Sequence, residues 1–330
     1  MSGSIICPCS MSAWELLRAS GRLLPDLLER PRTSRPTGCS LRTPEMLQED
    51  MEREGVVTEP FHLAVDGFVK RGGRSDVICH RYVGELSRRS FIRARPGLMV
   101  SGPELAFCDM GSCPGLDVID LALIGFEMCG TYVLDTSWDG LINTDAPMTS
   151  IEKIGSMMGY RQGCAGIQKA RAALELVRDG SNSPMETVLC ALLTFPRRLG
   201  GYGFGPVRLN YEVSTSLGTR YVDVAFPTCA VGLEYKGRKF HSVEQVGRDD
   251  RRQNEIVGSG ITILNVWYED LVSDLLFDRL VSDLVRAMGI RLRIRDKAFA
   301  LRQQILRARL LPAIMNLGGQ QGGGVTGDIN

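Results

Sequence analysis

Residues Arg220–His241 read RYVDVAFPTCAVGLEYKGRKFH, two strand-like runs joined by a tight turn. Side chains alternate across a strand, so Val222, Val224 and Phe226 share one face of the first run, and Asp223 sits opposite with Tyr221 and Ala225. In the second run Glu234 and Lys236 point the same way as Ala230 and Gly232, while Val231, Leu233 and Tyr235 take the other side. Paired in register, the two runs bury two apolar faces and bring two acids and an amine to the remaining side. That trio suits phosphodiester cleavage. Two carboxylates hold Mg²⁺, a hard cation that prefers oxygen ligands and keeps several waters. A neighbouring lysine orients the attacking water and neutralises developing charge. Taken alone the residues fit a surface charge pair equally well, since Glu-x-Lys is common on solvated strand faces.

The flanking sequence continues the pattern. Ser183-Pro184-Met185-Glu186 opens a helix, the Asp223 and Glu234-Tyr235-Lys236-Gly237 strands follow, and His241 comes next. Arg248, Asp249, Arg252 and Asn254 lie on a polar helix, ahead of the strand ITILNVWYEDL after Gly260. In this order the pieces resemble the PD-(D/E)XK nuclease superfamily, in particular its Vsr-like endonuclease domains, over roughly residues 181–288. Val222 stands where the family name has proline. The resemblance implies a restriction-endonuclease-like mixed sheet flanked by helices, and Mg²⁺-dependent hydrolysis of DNA. Asp223 and Glu234 would be the metal ligands and Lys236 the water-positioning residue. Glu186 would assist from the first helix, although a first-turn acid is also favoured by the helix dipole alone. His241, whose ordinary pKa near 6.5 suits acid–base work, would contact the phosphate, or simply leave the strand. Arg238, Lys239, Arg248 and Arg252 are the candidate DNA contacts; Arg248 and Arg252 share a helix face and either grip phosphates or pair with Asp249 and Asp250.

Composition bounds the rest. A chain of 330 residues holds two or three domains, and a net charge of +1 leaves any basic patch local. No apolar run approaches the ~20 residues of a membrane span, and MSGSIICPCSMSAWELL lacks a secretion signal's basic start and unbroken apolar core, so a cytoplasmic protein is expected. The ten cysteines are scattered singly apart from Cys7 and Cys9, and the three histidines (His62, His80, His241) are not spaced as ligands. Reduced, small, buried hydrophobes are the better account of the cysteines. Cys7-Pro8-Cys9 reads either as reactive or as part of a frayed terminus.

Helices are expected over Ala13–Leu28, over PEMLQEDMEREG from a Thr43 cap, and over an apolar stretch from Leu116 to Tyr132. Asp117, Asp120 and Glu127 near that stretch read as a solvated edge. Further helices follow IEKIGSMMGY from Thr149 or Ser150, and Gly166–Arg178. Short strands between them make an N-terminal α+β domain, 1–180, with the order of small helices then hairpin that a winged-helix-like unit shows. The nuclease-like domain is expected over 181–317 and a disordered tail over 318–330. The glycine-rich run Gly200–Pro206 precedes a strand, not a helix, and so is not a nucleotide-binding loop. The strand Ile261–Trp267, β-branched and long, suits a central position. Arg286, Arg291, Arg293, Arg295, Lys297, Arg302, Arg307 and Arg309 make the C-terminal stretch locally basic, suited to nucleic-acid backbone.

The N-terminal half also resembles, loosely, AbiEi-type antitoxin and regulator proteins. His80 precedes Ser101-Gly102-Pro103-Glu104, with Gly102 inserted into the family's order. As plain structure, Ser101 caps a helix whose first turn holds Pro103 and Glu104. That resemblance implies an alternative function: a DNA-binding transcriptional regulator or antitoxin with a non-catalytic nuclease-like fold. An RNA nuclease is a third option. A homodimer and a partner protein encoded nearby both stay open.

Overall fold

The structure is a computed structural model that describes residues 5–67, 74–135, 140–215, 217–236 and 254–316. The fold is α+β, with several small sheets flanked by helices. The chain divides into two compact units, the first made mainly of residues up to Ser183 and the second beginning at Pro184; Leu134–Leu141 groups with the second and Arg208–Asn210 with the first. Among the described residues no helix is long and apolar enough to cross a membrane.

Up to Leu174 the chain runs α1 (Ser10–Ala19), α2 (Leu24–Glu29), β1 (Arg32–Thr33), α3 (Pro44–Arg53), β2 (Phe61–Ala64), β3 (Val77–His80), β4 (Phe91–Arg95), β5 (Leu98–Ser101), α4 (Pro103–Met110), α5 (Val118–Met128), β6 (Tyr132–Asp135), β7 (Gly140–Asn143), α6 (Ile151–Tyr160) and α7 (Ile167–Leu174), all but parts of β6 and β7 in the first unit. Its main sheet has the order β1-β4-β5, and β2 and β3 form a separate parallel pair. The helix expected over Ala13–Leu28 stops at Ala19: Gly21 turns to φ +50, and a single 3₁₀ turn leads into α2. The helix expected over Gly166–Arg178 likewise ends at Leu174. Ser101 does not cap α4. It remains in β5, paired with Phe91, so the cap falls on Gly102.

The cysteine pair near the start is not frayed. Cys7 and Cys9 are fully buried: the Cys7 carbonyl accepts the Ala64 amide at 2.8 Å and the Cys9 amide donates to His62 at 2.9 Å. Burial pushes both thiols well above their ordinary range, which removes the thiolate that reactivity needs. Of the acids near α5, Asp117 is exposed and Asp120 half-buried, as a solvated edge requires, whereas Glu127 is buried. Asp117 Oδ1 accepts the Ile119 and Asp120 amides at 2.8 and 3.0 Å, and Asp120 Oδ2 accepts the Asp117 amide at 3.0 Å, a capping box. Glu127, 1% exposed, pairs with buried Arg18 at 2.9 Å, and the Arg18 guanidinium lies 4.5 Å over the Trp14 ring.

A buried polar network sits beside α1 and α4. The Tyr82 hydroxyl donates to Asp109 Oδ2 at 2.6 Å and Arg161 donates to Asp109 Oδ1 at 2.8 Å. His62 Nδ1 and His80 Nε2 lie 2.8 Å apart. Burial pushes Asp109 up to about 6 against the pull of Arg161, while burial, with the neighbouring His62 and Arg161 charges, pulls His80 down to about 4.

The second unit runs α8 (Pro184–Thr194), β8 (Arg208–Thr215), β9 (Gly218–Phe226), β10 (Val231–Lys236), β11 (Thr262–Trp267), α9 (Tyr268–Val272), α10 (Asp274–Ala287) and α11 (Phe299–Asn316). Its four strands have the order β11-β10-β9-β8, with β10 antiparallel to β9 and parallel to β11. The strand expected to be central, β11, is therefore an edge among the described residues. β-Branched content reports a half-buried pleated surface, not a place in the sheet, and β11 is accordingly only partly buried. Val222, Val224, Phe226, Val231 and Leu233 are almost completely buried. The glycine-rich run serves this core: Tyr202 and Phe204 stack 5.5 Å apart, Tyr202 meets Phe299 and Phe204 meets Phe226. Gly201 lets the chain pass against Phe195, where a Cβ would come within 2.2 Å of its carbonyl oxygen.

Candidate active site on the β9–β10 hairpin

The strand alternation that buries Leu233 and Val231 in β10 turns Glu234 and Lys236 the other way. The ladder with β9 runs Val231↔Phe226, Gly232↔Ala225 and Leu233↔Val224; Asp223 and Glu234 are the next residues on each strand. There the Tyr235 amide donates to Asp223 Oδ2 at 2.8 Å, so the Asp223 carboxylate reaches β10 beside Glu234. Glu234 is 4% exposed, and Lys236 Nζ donates to its Oε2 at 2.6 Å. Asp223 and Lys236 are half-buried. Asp223 thus reaches the backbone of β10 next to the Glu234–Lys236 ion pair.

The strand beside them is tightly packed. Gly232 lies two residues before Glu234, and a Cβ there would come within 2.5 Å of Val222 Cγ1 and 2.9 Å of Ile263 Cδ1. Val222 joins Val213, Ala225 and Ile256 in one buried cluster, against which Ile261 and Ile263 pack. Parallel pairing adds a residue that motif reasoning did not single out: Asn265 of β11 is directly abreast of Glu234, and Trp267 of Lys236. Paired residues of a parallel ladder face the same side, so Asn265 brings an amide to the Glu234 face. Its only sequence signal is a polar side chain inside the apolar run ILNVW.

The other predicted residues divide into two groups. Glu186 is buried in the first turn of α8, a helix that packs on β9. His241, Arg238, Lys239, Arg248 and Arg252 lie outside the described residues. Of the basic C-terminal residues, Arg286 pairs with Asp283, Arg302 with Asp296, and Arg307 with Asp274, the last stacking 5.3 Å from the Phe277 ring. These three arginines are engaged within the fold, whereas Arg291, Arg293, Arg295 and Lys297 are exposed.

Chemically, the hairpin offers carboxylate oxygens from adjacent strands beside an ammonium. Among the described residues no group of three or more His, Cys, Asp and Glu is arranged to hold a metal. Two carboxylates still fit Mg²⁺, which commonly takes one or two and completes its shell with water and substrate phosphate. All ten cysteines are free of disulfides, and seven of them are buried. No family model, curated protein or solved structure matches the chain.

Proposed function

We propose that the chain is a metal-dependent endonuclease that hydrolyses DNA phosphodiester bonds at Asp223, Glu234 and Lys236. The observation that supports this reading is that Lys236 Nζ lies 2.6 Å from Glu234 Oε2 while Asp223 Oδ2, on the neighbouring strand, takes the amide of the intervening Tyr235. Asp223 and Glu234 would hold Mg²⁺, which when bound polarises the phosphate and acidifies a coordinated water. Lys236 orients the attacking water and neutralises charge as the phosphorane forms. Burial of Glu234 keeps bulk water off its carboxylate and strengthens its electrostatics.

A second reading, a DNA-binding regulator with a non-catalytic nuclease-like fold, draws on the same ion pair. Lys236 already neutralises Glu234, as it would in a purely structural role. Incubation of the wild type and Glu234→Ala with supercoiled plasmid and Mg²⁺ or Mn²⁺ separates the two. Metal-dependent nicking that the variant loses supports the nuclease. A DNA mobility shift without cleavage, unchanged in Glu234→Ala, supports the regulator. A parallel incubation with structured RNA identifies a ribonuclease.

A further inference from the structure

The first unit carries a groove whose lining is basic without any acid. A cavity of about 520 Å³ opens along the β4–β5 hairpin and is lined by Arg30, Arg35, Arg93 and Arg95 together with apolar and small residues. The strand pairing explains the cluster. The Arg93 amide donates to the Pro31 carbonyl at 2.9 Å, which sets Arg30 beside β4. An irregularity in the β4–β5 ladder between Arg93 and Arg95, next to the Pro96-Gly97 turn, leaves both arginines exposed at the hairpin end.

Charge balance differs among the four. Arg30 and Arg93 make no side-chain hydrogen bond or ion pair among the described residues. Arg35 spends its guanidinium on the Tyr82 and Gly84 carbonyls, at 3.0 and 2.5 Å, and so keeps its full charge. Only Arg95 has a carboxylate partner, Glu54. An adjoining cavity of about 510 Å³ shares Arg30 and Arg95 and adds Arg53, but there Asp26, Glu52 and Glu54 balance the positive charge. The acids there confine the attraction for an anion to the Arg93 side.

We infer that this groove binds the phosphate backbone of DNA, as a contact surface separate from the hairpin of Asp223 and Glu234. Guanidinium forks match phosphate oxygens in pairs, and the two unengaged forks of Arg30 and Arg93, beside the carbonyl-bound but still charged Arg35, offer more than one phosphate group can engage. Repeated charge along a strand is what such a row meets. The contact reads no base, so it supplies affinity without sequence preference.

The test is fluorescence anisotropy of a short fluorescein-labelled DNA duplex with the full chain in EDTA, where metal-dependent cleavage is blocked. The proteins compared are the wild type, Arg30→Ala/Arg93→Ala, and Arg171→Ala, an exposed arginine of α7 away from the groove. The expected result is at least about a tenfold weaker affinity for the double variant, with the slope of log K against log salt reduced by roughly 2, one unit for each phosphate that is no longer neutralised. Arg171→Ala should keep both values. An unchanged slope in a double variant whose circular dichroism matches the wild type overturns the inference. So does loss of inorganic-phosphate binding in calorimetry with duplex binding intact, which identifies a small-anion pocket. A wild type that binds no duplex at all overturns it as well. Nicking is read separately with Mg²⁺: absent nicking with the groove's salt dependence intact removes the catalytic reading and leaves this one standing.

Discussion

Asp223 Oδ2 accepts the backbone amide of Tyr235, at 2.8 Å, just where the regular β9–β10 ladder stops. The carboxylate closes the hairpin and belongs to the candidate site at once. Substitution separates the two roles. Asp223→Asn keeps an oxygen for the amide and loses the charge, so it should unfold at nearly the wild-type urea midpoint yet lose metal-dependent nicking. Asp223→Ala should also cost about 1 kcal/mol of stability, the net worth of one hydrogen bond. Full nicking activity in Asp223→Asn would remove this residue from the site.

Lys236 and Glu234 should be strongly coupled. Lys236→Met takes the ammonium partner from a carboxylate that is 4% exposed and should destabilise by about 1–3 kcal/mol. Adding Glu234→Gln to that variant should recover part of the loss, because the buried charge goes too. Denaturant unfolding of the two single variants and the double closes the cycle; strictly additive losses would show that the ion pair contributes little.

Much of this hairpin was legible in the sequence. Alternation alone put Glu234 and Lys236 on one face and Val231 and Leu233 on the other, because a pleated strand has a period of two whatever surrounds it. The position of β11 was not legible, since sheet order depends on which strands meet across long loops. Nor was Asn265, which reaches the site only through parallel pairing with β10. The break after Ala19 escaped because leucines continue on both sides of Gly21, and the helical pattern hides a residue that turns to positive φ. The fate of Cys7 and Cys9 depended on isolated bridges from Ile6 to Leu98 and from Pro8 to Leu63, pairings remote in sequence that no local pattern announces.

Gly232→Ala tests the packing behind the site. Its Cβ would meet Val222 Cγ1 at 2.5 Å and Ile263 Cδ1 at 2.9 Å, and relief requires the buried Val222 and the partly buried Ile263 to shift. Overpacking of this kind typically costs about 1–3 kcal/mol. A thermal melt shows it directly, and a variant as stable as the wild type would mean that the sheet yields there.

The histidine pair gives the first unit a pH signature. His80 is pulled down from 6.5 to about 4 in the folded chain, so the unfolded chain binds the extra proton between those values. Its contribution is complete above pH 6.5 and falls away as acidification proceeds toward pH 4, by up to about 3 kcal/mol. Asp109, raised from 3.8 to about 6, acts in the opposite sense: its contribution is complete below 3.8 and is lost as pH rises through 6. His80→Gln removes the first effect and leaves the second. The variant should therefore lose less stability than the wild type between pH 6.5 and 4 in urea titrations. Parallel curves for the two proteins would show that His80 is not held neutral by its surroundings.

On the proposed nuclease reading, the Asp223–Tyr235 bond also ties activity to assembly. A strand that slid by one position would exchange the side chains on its two faces, taking Glu234 and Lys236 away from the side of Asp223 and setting Leu233 there instead. No misaligned form of the hairpin can therefore retain the arrangement of Asp223, Glu234 and Lys236 that the proposed reaction needs. Selection acting on the reaction would at the same time be selection for correct alignment of the whole sheet.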